Sequence, residues 1–206
     1  MQSRSSKTAT ATELRAAIAA ERTELADLLD SLTFEQWNSP SLCAGWRVRE
    51  VAAHMGMGFR HRLPRITVEL LRARGSLHRM TDHLARHDAD RLASPQLAAT
   101  LRDNAHHPWT PPVGGLAAAL GHDVVHGLDI TVALGLDRRV PADRLRPLLD
   151  AVAPRSLRFF GARLDDVRLR ATDLGWSYGS GSRTVDRPAQ ELLLLAYGRR
   201  IPEVDI

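Results

Sequence analysis

Leu116-Ala-Ala-Ala-Leu-Gly-His-Asp-Val-Val-His-Gly-Leu-Asp129 is the stretch on which the reading of this chain turns. It is apolar almost throughout, yet it carries His122 and His126 four residues apart. Residues at that spacing lie one turn above each other on one helix face, so both imidazoles can address a single object. At about 100° per residue, Gly115, Ala119, His122, His126, Asp129 and Ala133 share a narrow face, while Leu116, Leu120, Val124 and Leu128 lie on faces that can pack. The histidines are thus bordered by small side chains that leave room for a ligand. A surface pair or two satisfied core histidines is the plainer alternative, but two unpaired imidazoles buried together are costly. The favoured reading is a divalent metal with an open coordination position, given a third ligand from another helix. His54, in Val48-Arg-Glu-Val-Ala-Ala-His54, is the candidate. Asp129 is placed to accept a hydrogen bond from a ligand's second ring nitrogen, which fixes tautomer and ring orientation.

Outward from this helix, expected from about Gly114 to Leu134, the chain divides in character. Leu14, Ile18, Leu25, Leu28 and Leu32 give a first amphipathic helix from Thr12 to about Leu32. Ser39-Pro40-Ser41 and Gly45 mark a loop, and a second helix begins near Trp46 and carries His54. Pro64 should kink it or open a new segment. A third helix is expected over Leu70 to Leu92, a short one over Pro95 to Ala105, and a loop over His107 to Pro112. Beyond Gly135, Pro141 to Phe160 reads as one more helix. Val167, Leu169 and Ala171 then alternate with polar residues, as in a half-buried strand. Trp176 and Tyr178 extend the β pattern, Gly179-Ser-Gly-Ser182 is a turn, and Thr184-Val185 a return strand. A last helix starts at Pro188 and stops near Gly198. The expected fold class is α+β: a metal-binding helical module over residues 1–140 and a small α/β module over 141–206.

The chain has 206 residues, 44% of them hydrophobic and 25% charged, the composition of a globular protein. No apolar run approaches the roughly 20 residues that span a bilayer, and no signal-peptide core precedes the first helix, so no membrane is expected and the expected location is cytoplasmic. A single cysteine, Cys43, excludes an internal disulfide and suits a reducing compartment. The sequence pI is about 10.1, but the net charge is only +4. Lys7 is the one lysine among 28 basic residues, and the arginines are scattered among acids. Arginine's high pKa sets the pI without a basic stripe, so nucleic acid is not expected as a partner. Arginine in place of lysine, with abundant alanine and leucine, reads as GC-rich coding bias. His83 and His87 form a rival pair, but Asp82, Arg86, Asp88 and Asp90 around them read as a solvated face.

Leu32-Thr-Phe-Glu-Gln-Trp37 followed by Ser41-Leu-Cys-Ala-Gly-Trp-Arg-Val-Arg-Glu-Val-Ala-Ala-His54 resembles the N-terminal signature of the mycothiol-dependent maleylpyruvate isomerase family. Val124-Val-His-Gly-Leu-Asp129 resembles its second signature. Ala171-Thr-Asp-Leu-Gly-Trp176 and the stretch from Val185 to Arg199 resemble its C-terminal module. The resemblance implies a DinB-like four-helix bundle holding zinc at His54, His122 and His126, followed by a smaller α/β domain. The family's isomerase uses His, Glu and His, and the position of the glutamate is taken here by His122. Three neutral ligands leave the metal more cationic and favour an anionic fourth ligand, thiolate or hydroxide. Where the family often has a Thr N-cap, Arg47 stands here, so the capping box with Glu50 is incomplete.

What the resemblance implies is an actinobacterial enzyme in which zinc-bound mycothiol, as thiolate, attacks a small electrophile, in an isomerase or an S-transferase reaction. The sulfur comes with the cofactor, so Cys43 is expected to be a packing residue. Arg199, in the family's terminal Gly-Arg, is expected to meet a substrate anion or simply to end a helix. Trp37, Trp46 and Trp109 are expected in packing or at the mouth of the cleft. A non-catalytic zinc-binding protein and a zinc hydrolase stay open as alternatives, as does a homodimer.

Overall fold

The computed structural model describes residues 9–201, so the ends of the two expected modules, 1–8 and 202–206, lie outside the described residues. The helix at the centre of the molecule is α8, Gly115–Thr131. It has apolar residues on every face, the pattern of a helix with neighbours all round. Two interior glycines cost helix propensity, of the order of 1 kcal/mol each. Both are explained by close approach. A Cβ on Gly121 would stand 2.5 Å from the Tyr197 hydroxyl, and one on Gly127 2.7 Å from a methyl of Leu25.

Helix α1, Ala11–Ser31, begins in a reciprocal capping box: the Glu13 backbone N–H donates to Thr10 Oγ1, and the Thr10 N–H donates to the Glu13 carboxylate at 2.7 Å. It packs against α7, Ser94–Asp103, and against α8. Its buried stripe includes Ile18 and Leu25 as the spacing predicts, and Leu29 beside them, but also Glu21 and Arg22, both wholly buried. A short α2, Phe34–Asn38, was not expected; Thr33 and Gln36 cap each other at its start. Helix α3, Val48–Met55, continues after Gly56 as α4, Met57–Arg60. Glu50 accepts from the Arg47 N–H at 2.7 Å, while the Arg47 side chain has no acceptor to offer in return, so half of the capping box is present.

Three expectations need correction. The helix expected over Leu70–Leu92 is two: α5, Leu63–Arg72, opened by Pro64, and α6, Leu77–Arg91. Arg74 and Gly75 between them take positive φ, and the Ser76 hydroxyl caps α6. The helix expected over Pro141–Phe160 is also two, α9 at Ala142–Asp150 and α10 at Pro154–Phe160. The residue before a proline avoids the helical region, and Ala153 is accordingly extended. The return strand runs parallel to the first. The sheet has β1, Val167–Ala171, in the middle, with β2, Ser177–Tyr178, antiparallel on one side and β3, Arg183–Arg187, parallel on the other. The antiparallel β2 returns the chain to the start of β1. There it crosses under Asp166, which accepts hydrogen bonds from the Ser182 N–H and hydroxyl, and so it must run parallel along the far edge. The last helix, α11, Ala189–Ala196, follows Pro188 as expected.

The architecture is therefore α+β, mostly helical with one small sheet. One apolar cluster runs from α8 through α9, β1 and α11, and a second joins α1, α3, α7 and the end of α8. Ion pairs on the buried Glu21 tie α9 and the residues before it to α1: Arg144 meets Glu21 at 2.8 Å and Arg138 meets it at 2.6 Å, while Arg144 also reaches the half-exposed Glu24 at 2.5 Å. Among the described residues no helix is long and apolar enough to cross a membrane. Since α8 borders both clusters, its polar residues are held in a rigid frame between α1, α3 and α11.

Candidate metal centre

Helix α3 buries Val51, Ala52 and Met55 and turns His54 toward α8. His122 and His126 come from successive turns of α8, and the three rings close a triangle with centroids 4.8 to 5.1 Å apart. The His54 and His122 Nε2 atoms face each other at 3.3 Å. The other nitrogens of the α8 pair are occupied by carboxylates. His122 Nδ1 lies 2.9 Å from Asp123, and His126 Nδ1 lies 2.9 Å from Asp129. A carboxylate at Nδ1 requires the proton there, which leaves the Nε2 lone pair turned to the centre of the triangle.

Asp129 is wholly buried and gathers three donors. Beside His126, it accepts from Arg199 Nε at 2.7 Å and Nη2 at 2.9 Å, a bidentate pair, and from the Cys43 thiol at 3.0 Å. Burial opposes its ionisation, but the hydrogen bonds from His126 and Arg199 outweigh that and hold its carboxyl far below the usual range. The same carboxylate outweighs burial at Arg199 and keeps that guanidinium charged. Arg199 arrives from the end of α11, where Gly198 takes a positive φ and the Arg199 N–H caps the Leu194 carbonyl. Expected at a substrate anion or a helix end, it sits at the helix end with its guanidinium committed to Asp129.

Cys43 lies on the loop between α2 and α3. That loop is fastened to α8 by the Leu42 N–H on the Asp129 carbonyl and folded on itself by Ser41. Burial, then the Asp129 charge, raises the Cys43 pKa far above that of a free thiol, which suits its place as an S–H donor to Asp129. Burial and the neighbouring rings lower the pKa of His54 well below the ordinary histidine value. Burial also lowers that of His126, against the pull of Asp129. Imidazoles that stay neutral keep their lone pairs available.

Does the donor set fit a metal? Zinc bound by histidine at about 2.0–2.1 Å in a tetrahedral site has ligand atoms about 3.3 Å apart, the separation of the His54 and His122 Nε2 atoms. Soft–borderline imidazole donors suit zinc and its neighbours in the first transition row. His54 Nδ1 is buried without a hydrogen-bond partner, so the ring is held by packing: Trp46 leans on it at 5.1 Å, itself anchored by its indole N–H on Asp82. Trp109 covers His122 at 5.5 Å. Its indole occupies a notch at Gly58, where a Cβ would stand 2.3 Å from the ring. The fit is good.

Among the described residues a second donor group, Cys43, His126 and Asp129, also lies close together. The Arg199 cation already neutralises that carboxylate, so the first group is the stronger metal site. The His83 and His87 ring centroids stand 6.3 Å apart, the pair belongs to no such donor group among the described residues, and His87 is turned to Asp88. Sequence reasoning missed Asp123 and its partner Arg22, which donates from Nε at 2.7 Å with both side chains fully buried. A signal existed: Arg22 falls on the apolar stripe of α1, where an unpaired charge could not stay.

A family model described as mycothiol maleylpyruvate isomerase N-terminal domain matches residues 18–193. No curated protein and no solved structure matches the chain.

Proposed function

The chain belongs to the mycothiol maleylpyruvate isomerase N-terminal domain family, and from that premise we propose a metal-dependent enzyme that uses mycothiol against a small electrophilic substrate. The reaction is of isomerase or S-transferase type. The observation that carries this reading is the convergence of His54, His122 and His126, with two of their Nε2 atoms 3.3 Å apart. These three residues would hold the metal, most naturally zinc. When bound, the metal supplies a positive charge that stabilises a thiolate at neutral pH.

The protein's own groups favour an anion at that point. The carboxylates of Asp123 and Asp129 orient their histidines, but each is paired with a buried arginine, Arg22 or Arg199, so neither lends net negative charge to the centre. Neutral ligands with cancelled carboxylates leave the metal its full charge. Cys43 is withheld from the chemistry by its hydrogen bond to Asp129 and its raised pKa, so the sulfur must come with the cofactor. Trp46 and Trp109 wall the rings and exclude water on two sides. The same reading takes α1, α3, α6 and α8 as the DinB-like four-helix bundle. It is supported by the packing of α3 on α6 and α8 and of α1 on α8. It treats residues 1–140 and 141–206 as the two modules of an actinobacterial cytoplasmic protein.

The test is a cobalt(II)-substituted sample. Adding mycothiol should produce a sulfur-to-metal charge-transfer band, and a His126→Ala variant should show neither band nor turnover. A cobalt spectrum indifferent to mycothiol overturns the thiol reading. Turnover of an ester or amide by water alone would then identify a zinc hydrolase, and metal binding without turnover a non-catalytic zinc protein.

A further inference from the structure

Two of the three histidines are held in the same way. On His126 the chain is imidazole to Asp129 to Arg199; on His122 it is imidazole to Asp123 to Arg22. The second arrangement lies deeper, since Arg22 and Asp123 are both 0% exposed. Arg22 also donates from Nη1 to the carbonyls of Asn104 and His107, at 3.2 and 3.0 Å, and stands 4.7 Å over the Phe59 ring. Those carbonyls belong to the connection between α7 and α8, whose Trp109 covers the same His122 ring. One arginine therefore fixes both the hydrogen-bond partner of His122 and the aromatic wall beside it.

Resting on the metal reading above, we propose that Asp123, locked by Arg22, is the positioning residue of His122: it holds the proton on Nδ1 and aims Nε2 at the metal. A merely structural ion pair between α1 and α8 is the competing account. It explains the 2.7 Å contact between Arg22 and Asp123 but gives no reason for the other carboxylate oxygen to sit on the ligand's ring. Buried pairs of this kind can commonly be replaced by apolar residues of similar volume without loss of stability.

The experiment measures zinc affinity by competition with a chromophoric chelator, together with the melting temperature of the metal-free protein. Asp123→Ala alone would leave Arg22 charged and buried, which threatens folding, so the decisive variant is the double replacement Arg22→Met with Asp123→Leu. The expected result is a 10–100-fold loss of zinc affinity and a shifted ligand-field spectrum with cobalt. The metal-free protein should keep its helical circular dichroism, with its melting temperature lowered only by the loss of the Arg22 bonds to the Asn104 and His107 carbonyls. A double variant that binds zinc as tightly as wild type overturns the proposal. So does one that loses its helical circular dichroism, which would assign the pair to the fold. A wild-type protein that binds no zinc refutes the metal reading itself, whereas tight wild-type binding with an indifferent variant refutes only the role of Asp123.

Discussion

Folding should cost His54 its ordinary basicity, and the cost can be read as a pH dependence of stability. His54 is enclosed by Trp46, His122 and His126, and its Nδ1 has no partner, so burial depresses its pKa. In the unfolded chain a histidine titrates near about 6.5. Below that pH the unfolded state binds a proton that the folded state refuses, so stability rises with pH through this window and falls on acidification. Between pH 7.5 and pH 5.5, one histidine that stays neutral in the fold removes about 1.4 kcal/mol, and His126, also lowered, acts in the same direction. The assay is urea unfolding of the metal-free protein at both pH values, for wild type and for His54→Gln. The remaining histidines are common to the two chains, so subtraction isolates His54, and the variant should lose about 1.4 kcal/mol of the pH dependence. Equal pH dependence in both chains would refute the reasoning, because it would mean that His54 takes up a proton in the fold as readily as in water.

Asp129→Ala should weaken zinc binding by about 10–100-fold in a chelator competition. It should also destabilise the fold by about 3 kcal/mol, because Arg199 loses the counter-ion of a largely buried pair; unchanged zinc affinity would reduce Asp129 to a structural carboxylate. Cys43→Ala should retain metal binding and most activity, and the wild-type thiol should react only slowly with a disulfide reagent at pH 8, since burial and Asp129 keep it protonated. Rapid labelling of the folded protein, or loss of activity in that variant with the fold intact, would place the reactive sulfur on the protein after all.

The helices that carry the site were legible in the sequence because their burial patterns are simple. The histidine spacing in α8 is legible from the residues alone, whereas His54 rests on the resemblance of Ser41 to His54 to the family's N-terminal signature; the three rings meet in space. What could not be read was held by long-range contacts. Arg22 and Asp123 are 101 residues apart, and only the packing of α1 on α8 makes them one ion pair. Glu21, which looks like a surface residue, is buried because Arg138 and Arg144 reach it from beyond α8. The helix breaks at Arg74-Gly75 and before Pro154 are decided by local backbone preferences within one or two residues, which a coarse helical pattern runs across. The parallel β3 followed from a crossing under Asp166 that no alternation pattern records. Arg199 was legible as a cation near the end of α11, but its engagement with Asp129 depends on how α11 returns to α8.

The central claim, that His54, His122 and His126 hold a metal whose open position takes the cofactor's sulfur, is tested most directly by X-ray absorption at the zinc edge with and without mycothiol. The account predicts nitrogen ligands at about 2.0–2.1 Å in both samples, with a sulfur at about 2.3 Å appearing only when mycothiol is added. A sulfur already present without it, or none in its presence, would contradict the account.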